Sequence, residues 1–242
     1  MSHSVVLVTG AAGGVGSAVR ARFEEGGWQV VGVDVREGPG VDIIADLRTA
    51  AACHQAVREA ISLHGRLDGV VLAAGLWTEG PTSDTSEEEF DLVFDVNVKG
   101  SYFVLSAALP ELAKTSGFVT ALSSDAGIQG NAGAAVYSAS KGAISNLVRA
   151  VAREVAPQGI RVNAVCPGDI DTPMLAGQAA NFGGGNPEQY LADLLSAYPQ
   201  GERARFVQPA EVAGLIWFLA QKEAEAITGA NLSIDFGLSA GI

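Results

Sequence analysis

The 242-residue sequence predicts an α/β fold: one domain built on a seven-stranded parallel sheet with helices on both faces. Short runs of Val, Ile and Leu alternate with longer helical patterns along the whole chain. Most of these runs are continuous rather than alternating, as expected of strands buried on both faces. Strand–helix alternation in turn implies parallel pairing through crossover helices. Glycine is abundant, at 30 residues, and aromatic residues make up only 7%. Both suit helices packed close against a sheet.

The first strand, Val5–Val8, runs into Thr9-Gly10-Ala11-Ala12-Gly13-Gly14-Val15-Gly16, and a helix is expected over Val15–Glu25. Glycines there let the backbone turn tightly and approach a pyrophosphate at the helix N-terminus. The spacing Gly-x-x-x-Gly-x-Gly departs from the Gly-x-Gly-x-x-Gly fingerprint. The second strand, Val30–Val33, ends at Asp34, 24 residues after Gly10. That interval suits a carboxylate that accepts from an adenosine ribose 2′-OH and repels a 2′-phosphate. NAD is therefore expected over NADP. Arg36 is the opposing signal, but no basic residue lies between Gly10 and Gly16.

A third strand is expected at Val41–Ala45, with no room for a helix before it, since only 11 residues separate Asp34 from Asp46. A helix over Ala50–Leu63, a strand at Gly69–Ala73 and a long helix over Glu87–Leu112 follow. Next come a strand at Phe118–Leu122, a helix over Ala135–Ala156 and a strand at Ile160–Val165. The stretch 175–206 breaks the alternation. One short helix near Pro187–Ala197 is expected in it, and its length suggests a substrate lid inserted in the domain. A helix over Ala210–Ala220 and a strand at Asn231–Ile234 close the chain.

With 15 Lys and Arg against 27 Asp and Glu, the formal net charge is −12. Such a surface repels nucleic acid and anionic membrane. Cys53 and Cys166 lack metal-ligand spacing and imply no disulfide framework, so no metal is expected and a reducing cytoplasm is. The N-terminus has no basic n-region, and no uncharged apolar run reaches ~18 residues, so neither a signal peptide nor a membrane span is expected.

Tyr137 and Lys141 stand four apart in the helix over Ala135–Ala156, on one face. A phenol titrating near ~10 is a poor base at neutral pH. An ammonium about one turn away is expected to lower that value and fit the pair for moving a proton to or from an alcohol.

Together these pieces resemble a short-chain dehydrogenase/reductase over essentially the whole chain. Thr9–Gly16 matches the family's Thr-Gly-x-x-x-Gly-x-Gly, and Asp46-Leu47 resembles its adenine contact. Leu72-Ala73-Ala74-Gly75 stands where Asn-Asn-Ala-Gly is usual, a departure at the first two positions. Asn97-Val98-Lys99-Gly100 matches the segment of the catalytic Asn, and Leu122-Ser123-Ser124 that of the catalytic Ser, with Ser124 13 residues before Tyr137. Cys166-Pro167-Gly168-Asp169-Ile170-Asp171-Thr172-Pro173 matches the Pro-Gly…Thr-Pro stretch on the nicotinamide side. Ile227-Thr228-Gly229 and Asp235-Phe236-Gly237 resemble the closing strand. The cofactor half is also similar to bacterial 3α-hydroxysteroid dehydrogenase/carbonyl reductase.

The resemblance implies a Rossmann-type doubly wound fold and an NAD(H)-dependent oxidoreductase interconverting a secondary alcohol and a ketone. It implies catalysis by Asn97, Ser124, Tyr137 and Lys141, with Asn97 anchoring a water that relays the proton through Lys141. The implied cofactor contacts are Gly10, Gly14, Val15, Gly16, Asp34, Asp46, Leu47, Ala74, Gly75, Tyr137, Lys141, Pro167, Gly168, Ile170 and Thr172. Beside Ser124, the expected substrate walls are Trp77 and Phe182 for an apolar body, Met174, and Asp125 and Gln129 for extra hydroxyls. A homotetramer or homodimer is implied, through the long helices. Two alternatives stay open: an NADP(H)-dependent 3-ketoacyl-thioester reductase, and a regulator that binds NAD without turning it over.

Overall fold

A computed structural model describes residues 3–240. Seven parallel strands form one sheet in the order β3-β2-β1-β4-β5-β6-β7. They are β1 (Val5–Thr9), β2 (Gln29–Asp34), β3 (Ile43–Ile44), β4 (Gly69–Leu72), β5 (Phe118–Leu122), β6 (Arg161–Pro167) and β7 (Asn231–Ile234). The chain steps outward from β1 to β3, then returns to lay β4 on the other side of β1. The order reverses there, opening a crevice at the carboxyl ends of β1 and β4. Thr9 ends β1 level with Val33 on β2 and Leu72 on β4.

The α-helices among the described residues are α1 (Gly14–Glu25), α2 (Ala50–His64), α3 (Glu87–Phe94), α4 (Ser101–Thr115), α5 (Ala135–Val155), α6 (Pro173–Phe182), α7 (Pro187–Ser196) and α8 (Pro209–Ala220). One face of the sheet packs its Leu7, Val33, Val70 and Val119 against α2, α4 and α5. The other packs Val6, Val8, Val71 and Val165 against α1 and α8. Burial on both faces explains the continuous apolar runs.

The expected absence of a helix between β2 and β3 holds. The Asp42 carboxylate accepts from Gly32 N–H and from Arg20, each at 2.7 Å. A Cβ on Gly32 would stand 1.9 Å from the Gly40 carbonyl, so the short connection can lie directly on β2.

Two expectations need correction. The single helix over Glu87–Leu112 is α3 and α4 joined by a π-helical segment, Asp95–Gly100, that carries Asn97. Period alone does not distinguish that segment from an α-helix. The joined helix, Glu87–Thr115, is long and apolar enough to cross a membrane, yet Val104, Leu105, Ala108 and Leu112 belong to the core beside the sheet. The second correction concerns the excursion, which holds two helices. The expected one is α7; α6 precedes it and ends at Phe182, before Gly183-Gly184-Gly185. Its start signal is clear in hindsight: Thr172 accepts from Leu175 N–H at 3.4 Å, and Pro173 takes the first turn. Backbone bonds between Asp171 and Val207 and between Val207 and Asp169, each 2.9 Å, pin the base of the excursion.

Candidate active site

The glycine loop fills the crevice between β1 and β4. Gly10 has φ +69°, and a Cβ on it would meet the Ala73 carbonyl at 2.9 Å. Gly13 precedes α1 without a side-chain cap, and the first turn of α1 has no acidic residue. Its orphan N–H groups and positive dipole end therefore face the loop. A Cβ on Gly14 would stand 2.6 Å from Thr172 Cγ2, so the loop also abuts the start of α6.

Asp34, 7% exposed, accepts from Ala12 N–H and Arg36 N–H, each at 3.0 Å. Arg36 lies 3.6 Å from the same carboxylate, so the opposing signal is paired with the acid it was weighed against. A bare glycine cradle at a helix N-terminus and a carboxylate at the tip of β2 fit a dinucleotide. Asp46 is engaged elsewhere: its carboxylate grips Arg48 through three bonds of 2.6–3.0 Å. Leu47 is buried beside it.

The Thr9 hydroxyl holds the loop at the departure from the family pattern, Leu72-Ala73. Thr9 Oγ1 accepts from Ala73 and Ala74 N–H at 3.1 and 3.2 Å, so the loop is held without side-chain amides. Asn97, 1% exposed, grips Leu76 through both backbone groups, at 2.8 and 3.0 Å, and donates to Ser140 Oγ at 3.0 Å. It ties the π-helical segment to the β4 loop and to α5. A Cβ on Gly75 would lie 3.4 Å from Asn97 Oδ1 and 3.5 Å from Lys141 Nζ, so the two groups border one bare stretch of backbone.

Ser124 lies near enough to the Tyr137 phenol to favour its charged form. The Ser124 hydroxyl donates to Asp125 Oδ1 at 2.7 Å and accepts from Ala126 N–H at 3.1 Å. Lys141, 4% exposed, donates to the Leu122 carbonyl at 2.7 Å and stands 5.6 Å from the Tyr137 ring centre. Pro167 and Gly168 are buried, and Ile170 is half-buried. Ile170 bridges to Val207, and Thr172 caps α6.

The expected lowering of the Tyr137 pKa does not occur in the chain itself. Burial pushes the phenol above its ordinary value; Ser124 opposes the shift, and Asp125 and Asp169 add to it. Burial also pushes the Lys141 ammonium down, to about 8. Desolvation disfavours both charged forms and is the largest cause of each shift. In cofactor-free enzyme, the tyrosinate absorbance difference between wild type and Tyr137→Phe is therefore expected to be absent at pH 9. A difference already complete at pH 8 would contradict this.

A family model described as enoyl-(acyl carrier protein) reductase matches residues 10–239. Oxidoreductase UcpA of Salmonella typhimurium is 34% identical over 252 residues, covering 98% of this chain and 95% of its own. The chain belongs to the short-chain dehydrogenase/reductase family. Among solved structures, the ligand-free aldohexose dehydrogenase of Thermoplasma acidophilum superposes with a TM-score of 0.91 at 30% identity, covering 99% of this chain and 96% of its own. A 3-ketoacyl-(acyl-carrier-protein) reductase from Brucella melitensis, complexed with NADH, gives 0.86 at 29% identity, covering 98% of each chain. The protein is thus an oxidoreductase of this family, whose members use nicotinamide cofactors.

On the substrate side of this dehydrogenase/reductase site, Trp77 packs on Tyr137 with ring centres 4.4 Å apart. Asp125 and Gln129 are bonded to each other at 3.0 Å, so the pair expected to bind hydroxyls is already engaged. Met174 and Phe182 are 49% and 39% exposed on α6. Sequence reasoning missed two polar clusters, one at Glu79 and one at Asp169. Tyr190 of α7 donates to Glu79 at 2.5 Å and accepts from Gln178 of α6 at 2.8 Å. Trp77 Nε1 donates to the same Glu79 oxygen at 3.3 Å. Tyr198, 2% exposed, donates to Asp169 Oδ2 at 3.0 Å and accepts from Asp169 N–H at 2.8 Å. Asp169 lay inside the matched Pro-Gly…Thr-Pro stretch, and an acid at the end of an apolar strand was the signal to follow.

Proposed function

We propose that this protein is an NAD(H)-dependent oxidoreductase that interconverts a secondary alcohol and a ketone, with Tyr137 as general acid and base. The observation that carries the reading is the grouping of Ser124, Tyr137 and Lys141 at the carboxyl ends of the strands, with Lys141 Nζ 5.6 Å from the Tyr137 ring centre and Ser124 acting on its phenol. Gly10, Gly14, Val15 and Gly16 would cradle the pyrophosphate. Asp34 would accept from the adenosine ribose, and Lys141 would bond the nicotinamide ribose. When bound, NAD supplies the hydride acceptor and, oxidised, a positive charge beside the phenol.

In alcohol oxidation, Ser124 would position the carbinol oxygen, and Tyr137, ionised once the positive charge that oxidised NAD would supply lies beside it, would take the carbinol proton while the hydride goes to that cofactor. In reduction, Tyr137 returns the proton to the carbonyl oxygen. The raised phenol pKa suits the second role at neutral pH. Acid–base help of this kind contributes about 10²–10⁴-fold. The excursion with α6 and α7 acts as a substrate lid, latched to Glu79 through Tyr190. A step of only four residues from Tyr137 to Lys141 favours this chemistry over enoyl reduction, for which a longer interval is expected.

Asp34 tests the cofactor assignment. Wild-type enzyme is expected to bind NADH more tightly than NADPH, and Asp34→Ala to narrow that preference, as competitive binding measures. Tighter NADPH binding by wild type would refute the assignment to NAD.

A further inference from the structure

We infer that Glu79 is a positioning residue for the proposed reaction: it sets Trp77 against Tyr137 while α7 is docked, and loosens that wall when α7 swings away. The role presupposes the proposed alcohol–ketone activity, with Tyr137 as acid–base group, and deepens it. Trp77 lies 4.4 Å from Tyr137, ring centre to ring centre. Trp77 Nε1 donates to Glu79 Oε2 at 3.3 Å, and Tyr190 of α7 donates to that same oxygen at 2.5 Å. A single carboxylate oxygen therefore joins the wall of the reacting phenol to a tyrosine 111 residues further along the chain.

Within the excursion, α7 is the part built to move. None of its residues is buried. By contrast, α6 buries Leu175, Gln178 and Ala179 and is capped by Thr172. Beyond α7, Tyr198 is 2% exposed and bonded to Asp169. The helix thus hangs between two anchors. Slack lies in its link to α6: Gly184 and Gly185 have φ +59° and +89°, and a Cβ on either would meet nothing within 4 Å. With no buried side chain of its own, α7 depends on a few polar ties for docking. Gln178, on the anchored α6, donates to the Tyr190 hydroxyl at 2.8 Å and so leaves the phenol proton for Glu79. Burial and the neighbouring carboxylate push the Tyr190 pKa up, which keeps that proton in place.

Sharing one oxygen couples the two partners. A glutamate side chain, unheld, samples many rotamers. Tyr190 fixes where Oε2 sits, and the indole N–H then meets an acceptor of settled place. When Tyr190 leaves, the carboxylate is free to turn, and the long bond to Trp77 loses its hold. Substrate enters while the wall is loose, and the return of α7 brings Trp77 back onto the phenol. Linkage makes the effect reciprocal: whatever loosens Trp77 also favours release of α7.

Two readouts on the whole protein test this role. Chymotrypsin cleavage after Phe182, beside the glycine link, follows the undocked fraction when opening is fast. Acrylamide quenching of Trp77, taken as the difference between a protein and its Trp77→Phe counterpart, follows the wall. Trp28 and Trp217 cancel in that difference, since both pack on Phe23, at 5.4 and 5.1 Å between ring centres. Tyr190→Phe removes only the latch hydroxyl. It is expected to speed cleavage about 10–100-fold, the worth of one hydrogen bond to a charged group, and to raise Trp77 quenching. Glu79→Ala should move both readouts the same way, and Glu79→Gln, which keeps an acceptor, should restore most of each. Trp77→Phe alone should speed cleavage about 2–10-fold and add nothing in the Glu79→Ala background. Unchanged Trp77 quenching in Tyr190→Phe, or unchanged cleavage in Trp77→Phe, would overturn the inference. Melting curves check that each variant is folded, and the two arms change different residues, so either decides without the other. Neither readout needs turnover. Unmoved readouts in an active enzyme would strike the role of Glu79 alone, whereas a wild type that oxidises no alcohol would strike the proposed activity.

Discussion

Tyr137→Phe is expected to lower kcat for alcohol oxidation by about 10²–10⁴-fold, the range of a lost general acid–base group. The substitution removes one oxygen and keeps the ring that packs on Trp77 at 4.4 Å. Ser124 is held independently of the phenol, by Asp125 and Ala126. Thermal stability should therefore change little, and the loss should fall on kcat while cofactor affinity is nearly kept. A variant that melts early would point instead to a structural role for the phenol, and steady-state rates beside a melting curve separate the two.

Gly16→Ala should be the most damaging change in the glycine loop. Its added Cβ would stand 2.1 Å from the Gly10 carbonyl oxygen and 3.0 Å from Ala11 Cα. Both neighbours are backbone, so neither can rotate away. Overpacking of this kind costs about 1–3 kcal/mol, occasionally more. For a domain of this size, each kcal/mol lowers Tm by about 2–4 °C. The forced shift also moves the N–H groups that would meet the pyrophosphate. NAD binding, read by calorimetry, should weaken together with the fall in Tm. A variant with wild-type Tm and wild-type NAD affinity would show that the loop carries no such constraint.

Much of the fold was legible because the strands are buried on both faces. Val5–Thr9, Phe118–Leu122 and Asn231–Ile234 announce themselves as apolar runs with turn residues after them. The short β2–β3 connection was legible from the count of residues between Asp34 and Asp46. Helix α6 was not, because Gly183-Gly184-Gly185 after Phe182 marks the stretch as loop while Thr172 and Pro173 match the nicotinamide-side motif. The π-helical segment at Asn97 was hidden by a periodicity that α-helix explains equally well.

The site divides in the same way. Gly10, Asp34, Ser124, Tyr137 and Lys141 sit at fixed intervals along the chain, and the fold brings the last three together. Glu79 and Tyr190 are 111 residues apart in sequence. Their meeting depends on where the 171–206 excursion folds back, which no local pattern encodes. Electrostatics were misread for a related reason. The spacing of Tyr137 and Lys141 places a cation near a phenol, but burial of both groups decides the sign of the shift. A sequence shows spacing more readily than desolvation.

One assay bears on the whole reading. Wild-type protein and Tyr137→Phe are mixed with a panel of secondary alcohols and either NAD or NADP, and reduced-nicotinamide absorbance is followed. The expected result is reduced cofactor with wild type and NAD, much less with NADP, and a loss of about 10²–10⁴-fold in Tyr137→Phe. Full turnover by Tyr137→Phe on a good substrate would contradict it.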